Sequence, residues 1–88
     1  MQRIPVRNDD VVWQGIQGEA VLLNPVEGKY FGLNAVGMSF WEKVDGARTV
    51  EAIVDLLLHE YETERDVLTK DLKELVDAML AQKLLYLK

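Results

Sequence analysis

Few side chains in this 88-residue chain can move a proton or attack a carbonyl carbon, and none stands in a pattern that would let it do so. His59 is the one histidine. It lies among Leu57, Leu58, Glu60 and Tyr61 at helical spacing and reads as a helix-surface or hydrogen-bonded imidazole, since general acid–base work needs a second group held in register with it. Ser39 is the sole serine, with no histidine nearby in the sequence, and an activated nucleophile needs a base within hydrogen-bond reach. Asp9-Asp10, and Glu60 with Glu62 or Glu64, have the oxygen chemistry for a divalent cation but read as solvated charge. Gly15, Gly18, Gly28, Gly32 and Gly37 follow neither GxGxxG nor GxxxxGK, so no phosphate-cradling loop is encoded. With no cysteine, a thiolate metal site and a disulfide framework are both excluded. The expectation is a chain that is not an enzyme, with no catalytic residue, no metal and no cofactor.

Backbone chemistry remains. Lys29-Tyr30-Phe31-Gly32-Leu33 is short, rich in aromatics and entered from Glu27-Gly28, the pattern of a strand that follows a tight turn. Were it the last strand of a meander, one ladder of its N–H and C=O groups would be free to pair with another chain. Alternation then puts Phe31 and Leu33 on one sheet face and Tyr30 with Gly32 on the other, making Tyr30 the better contact if Leu33 faces the core. Lys29 protecting an idle edge, and sheet aromatics packed for stability alone, are the plainer account of the same residues.

The elements that must position this strand are legible on either side of it. Met1 to Asp10 is polar and contains Pro5, so residues 1–10 are expected as a loosely held arm with at most a short edge pairing around Ile4 to Arg7. Val11 to Ile16 reads as a first strand, Gln17-Gly18 as a turn and Glu19 to Asn24 as a second strand. Asn24 to Gly28 is a turn cluster leading into the third. At Asn34 the period changes: Val36, Gly37, Phe40, Trp41 and Val44 recur at helical spacing, with Asn34 as N-cap and Asp45-Gly46 as stop. Thr49 caps a second helix whose apolar face is Val50, Ile53, Val54, Leu57, Leu58 and Tyr61. Thr63 with Asp66 has capping-box spacing and predicts a third helix from about Glu64 to about Lys83, with Leu68, Leu72, Leu75, Val76, Met79 and Leu80 as its stripe. Trp13, Phe40 and Trp41 are expected in the core.

The predicted class is therefore α+β: a three-stranded antiparallel sheet followed by three helices, winged helix-turn-helix-like with its sheet placed first, in one domain over residues 1–88. At 49% hydrophobic content the chain can bury one modest core. Ten basic against fifteen acidic residues give a net charge of -5, which repels a phosphate backbone, and the third helix mixes Lys70, Lys73 and Lys83 with Asp66, Asp71, Glu74 and Asp77. No nucleic acid partner is expected. No apolar run approaches the roughly 20 residues of a membrane span, the first residues lack a signal-peptide core, and the absence of cysteine fits a reducing compartment, so a cytoplasmic protein without a membrane partner is expected.

Several pieces in fixed order resemble the PqqD family: the Leu33-Asn34 pair with Gly37 and Trp41, then Asp45-Gly46 and Thr49 with Ile53, then Asp71-Leu72, Leu75 and Leu84-Leu85. The resemblance runs from Ala20 to Leu87. It implies a RiPP precursor recognition element, a small non-catalytic domain that holds the leader region of a ribosomally made peptide while separate enzymes modify the core. In that family the leader adds as a strand beside the third strand and packs against the third helix, the β-augmentation mode that the open edge suggests. Carried onto this chain, leader-binding residues are expected at Lys29, Tyr30, Phe31, Gly32 and Leu33, opposite Val67, Lys70, Asp71 and Glu74. The KYFGLN run and the Trp41-Glu42 pair look more like the stand-alone recognition proteins of lasso-peptide clusters, which present a leader to a separate peptidase and a cyclase. A peptide chaperone of pyrroloquinoline quinone synthesis serving a radical enzyme, or a winged-helix regulator, are the alternatives.

Overall fold

The structure, a computed structural model, describes residues 3–88. Five strands and three helices follow one another as β1 (Pro5–Arg7), β2 (Val12–Ile16), β3 (Glu19–Asn24), β4 (Lys29–Leu33), α1 (Ala35–Lys43), α2 (Val50–Leu58), α3 (Arg65–Ala81) and β5 (Leu85–Leu87). The expected meander is present: β2, β3 and β4 form an antiparallel sheet in that order, with Trp13 opposite Leu22, Leu22 opposite Phe31 and Ala20 opposite Leu33. Between β2 and β3 only Gln17 and Gly18 intervene, at φ 53° and 80°. Positive φ at both central positions is what a two-residue hairpin turn with the right twist requires.

One sheet face is covered by helices. Ala20 and Leu22 of β3 and Leu33 of β4 are buried there against Phe40 and Trp41 of α1, Ile53, Val54 and Leu57 of α2, and Leu68, Leu72, Val76 and Met79 of α3. Period-two alternation in the strands thus meets the 3.6-residue stripes of the helices in a single core. The other face carries Val12, Val21 and Tyr30, all exposed.

The helix starts follow their caps in two cases and depart in the third. The Asn34 carboxamide oxygen accepts from the Gly37 N–H at 2.9 Å, and Thr49 Oγ1 accepts from the Ala52 N–H at 3.1 Å. The capping box expected of Thr63 and Asp66 does not form; Glu64 stands at the N-cap without a side-chain bond, and α3 begins at Arg65. At the other end α3 stops at Ala81, short of the expected Lys83, because Lys83 turns to φ 58°. There the Lys83 N–H bonds to the Leu80 carbonyl at 3.1 Å and the Leu84 N–H to that of Met79 at 2.9 Å. This is a Schellman closure with lysine where glycine is usual, and the apolar contact that accompanies the motif is supplied by buried Met79 and Leu84.

The short edge pairing expected around Ile4 to Arg7 is present, but the arm around it is not loosely held from residue 3 onward; its first two residues lie outside the described residues. β1 and β5 pair as a second sheet, Pro5 with Leu87, Val6 with Tyr86 and Arg7 with Leu85. Asn8 extends the seam, its N–H reaching the Leu84 carbonyl at 3.0 Å and its Nδ2 the Lys83 carbonyl at 2.8 Å. Arg7 then fastens the seam to the core: its guanidinium lies over the Trp41 ring at 4.8 Å and the Trp13 ring at 5.5 Å, and both Nε and Nη2 donate to the Trp41 carbonyl. Burial lowers the Arg7 pKa, and Glu42 nearby works the other way. The partner strand lies some eighty residues along the chain, beyond any local pattern.

Candidate functional site

β4 forms because an aromatic-rich run follows a turn that ends in Gly28 at φ 69°. Asn24 organises that turn, its Oδ1 accepting from the Val26 and Glu27 N–H groups at 3.0 and 3.3 Å. Being buried, its Nδ2 donates inward, to the carbonyls of Gln82 and Lys83 at 3.3 and 3.4 Å, so the turn is moored to the C-terminus of α3. β4 pairs with β3 on one side only; among the described residues no strand lies along its other side.

Beside that free edge runs an open groove of about 670 Å³. Phe31, Gly32 and Leu33 form one wall, and Leu68, Leu72 and Leu75 of α3 an apolar wall facing them, with Asp71 and Glu74 among the latter. Asn34, Val36 and Gly37 at the start of α1 and Tyr61, Glu62 and Thr63 of the α2–α3 turn complete the lining. Gly37 lets α1 sit close to β4, since a Cβ there would stand 3.2 Å from the Leu33 side chain. A Cβ on Gly32 would meet nothing within 4 Å, so its backbone is approachable.

The turn that ends the groove is held by a polar network. Ser39 Oγ donates to Glu60 Oε1 at 2.7 Å, and Lys43 Nζ donates to Ser39 Oγ at 2.9 Å and lies 2.6 Å from Glu60 Oε2. Lys43, and then Ser39, hold the Glu60 carboxyl below its ordinary range through these hydrogen bonds. Tyr61 adds a bond from its hydroxyl to the Ala35 carbonyl at 3.2 Å. The sole serine thus has a carboxylate and an ammonium group in reach, which the sequence did not signal. Ser39 is only 7% exposed and both its hydrogen-bonding roles are filled, so the trio reads as a tie between α1 and the α2–α3 turn.

Of the residues expected at the site, Phe31, Gly32, Leu33, Asp71 and Glu74 line the groove together. Lys29 and Tyr30 belong to β4 but not to the lining, and Tyr30, 72% exposed, stands on the sheet face away from the helices. Leu33 does face the core, yet α3 borders the edge on that same core side, so the side chain offered to the groove is Phe31 rather than Tyr30. Val67 lies one turn before Asp71, exposed and outside the lining, while Lys70 belongs with Arg65, Asp66 and Lys73 to an adjoining part of the α3 surface that meets the groove at Glu74. Missed at the site were Asn34, Val36, Gly37, Tyr61, Glu62, Thr63, Leu68, Leu72 and Leu75. The apolar ones had been assigned wholly to the core, and only a rim position distinguishes half-covered Leu75 from buried Leu72.

Comparison with known proteins places this geometry among relatives. The family model described as coenzyme PQQ synthesis protein D (PqqD) matches residues 19–85. A solved structure described as TbiB1 in complex with the TbiA(beta) leader peptide is similar with a TM-score of 0.82 and 36% sequence identity, over 91% of this chain and 93% of that one. Among curated proteins none matches this chain.

Proposed function

Because this chain belongs to the PqqD family, we propose that it captures the leader region of a ribosomally made precursor peptide by strand addition to β4 and presents it to a separate maturation enzyme, doing no chemistry itself. The observation that carries the reading is the unpaired edge of β4 beside an apolar groove, in a chain 36% identical to a protein whose solved structure holds a leader peptide. Lasso-peptide maturation is the setting we favour, since the KYFGLN run and the Trp41-Glu42 pair resemble the stand-alone recognition proteins of those clusters.

Energetics constrains how such a peptide is held. Around five added residues make about four ladder hydrogen bonds of roughly 0.5–1.5 kcal/mol net each, which scarcely offsets roughly 1–2 kcal/mol per residue for ordering a flexible segment. Affinity therefore rests on two or three apolar or aromatic peptide side chains, at about 1.5–3 kcal/mol each, buried against Phe31, Leu68, Leu72 and Leu75. A dissociation constant in the micromolar range or somewhat below follows, near -8 kcal/mol.

Titrating the isotope-labelled protein with the TbiA(beta) leader peptide tests this directly. Amide shifts are expected at Gly28 to Gly37 and Tyr61 to Leu75; no shifts, or shifts concentrated on β1, β5 and the outer side of α2, would overturn the reading.

A further inference from the structure

Three carboxylate side chains line the groove, Glu62, Asp71 and Glu74, and no lysine or arginine does. Four carboxylates, Glu27, Asp45, Asp55 and Glu60, stand in ion pairs; the groove's three, like most others on the surface, have no cation within ion-pair distance among the described residues, and what marks the groove is that they line it together with no basic side chain among them. Lys70 and Lys73 line the adjoining part of the α3 surface, which Glu74 also borders, but neither stands within ion-pair distance of Glu74 or Asp71, and neither lines the groove. Asp71 and Glu74 sit three residues apart on one helix face, where like charges repel unless a cation comes between them. A metal ion is not the natural candidate, since no three acidic or histidine side chains among the described residues are close enough to hold one.

Resting on the reading of the groove as a leader site, we infer that the peptide it accepts carries a lysine or arginine next to its apolar anchors, received by Asp71 and Glu74 with Glu62 at the far end. Strand geometry sets the spacing. In a peptide laid along β4 every second side chain points toward α3, so a basic residue two positions from an anchor projects onto the same wall as the anchor itself. Leu68, Leu72 and Leu75 keep water from one side of the acidic groups, and a charge pair beside apolar surface is screened less than one in open solvent. The apolar contacts supply affinity and the carboxylates choose among peptides: an acidic residue at that position is rejected, a basic one retained.

A charge scan of the TbiA(beta) leader peptide tests the inference, with each position replaced singly by lysine and by glutamate and binding followed by fluorescence anisotropy. At one or two positions lysine is expected to bind about tenfold more tightly than glutamate at 0.1 M salt, falling to within about threefold at 0.5 M as screening grows. The same collapse is expected in the D71N/E74Q variant, whose exposed, isosteric changes leave the fold in place. Lysine and glutamate within twofold of each other at every position, with binding retained, would overturn the charge preference and leave the groove standing. So would a preference that persists unchanged in D71N/E74Q. Loss of all binding, with the parent leader included, would remove the leader site and the inference together.

Discussion

Two short edges of this molecule, β1 and β4, have had opposite treatments. β1 is closed: Pro5 has no N–H to offer, Arg7 spans two tryptophan rings, and β5 supplies the pairing partner. β4 has neither proline nor cover, only Lys29 at its start, and beside it lies a groove with apolar walls. An exposed edge invites aggregation, and at the seam the same chain blunts one. The difference teaches where to look for function: at the edge the fold leaves unprotected, not at the aromatics it has enclosed.

The largest effect expected is on the closed side. Trp41→Ala removes a fully buried ring on which Arg7 also rests and should cost about 3–5 kcal/mol, most of the stability of a domain this size, read as a collapse of the denaturant midpoint. Arg7→Ala should cost about 1–3 kcal/mol by removing the stacked cation and its bonds to the Trp41 carbonyl, while leaving leader affinity within twofold. A matching loss of affinity would mean that seam and groove are not separate. On the open side the order reverses. Phe31→Ala should weaken leader binding about tenfold or more with about 1 kcal/mol lost in stability, and Tyr30→Ala should change both little, as calorimetry and thermal melts would report. Equal affinity losses at both positions would return the contact to the outer face.

The smallest effect concerns the tie at the groove's end. Glu60 has its pKa depressed in the folded state, so the unfolded chain binds more protons as pH falls; the stabilisation is full above the ordinary glutamate pKa of about 4.3 and is lost below it. Glu60→Gln should flatten that part of the acid limb of a stability–pH curve while lowering the neutral plateau slightly. An unchanged acid limb would show that the network contributes nothing to folding.

Much of this was readable before the structure. Strong local signals, Gln17-Gly18, Asn34, Thr49 and the stripe from Leu68 to Leu80, act over a few residues and fixed the meander and the helices where they stand. Long-range pairing left a fainter mark: a short edge pairing was legible around Ile4 to Arg7, but not its partner, which lies at the other end of the chain, so the segment read as an arm. Lys83 hid a helix end by adopting a conformation that glycine ordinarily advertises. In β4, alternation correctly separated Phe31 from Tyr30, but no periodicity tells which face of a sheet's edge a helix borders, and that alone decides which ring lines the groove.

Asn24 joins the head of β4 to the last turn of α3, and the Ser39–Glu60–Lys43 trio with Tyr61 joins the opposite end of the groove to α1. With both ends fastened, the two walls cannot swing apart without breaking hydrogen bonds. The groove is therefore held in shape before a peptide arrives, so the larger ordering cost falls on the peptide, and stiffening the peptide is a route by which affinity would rise.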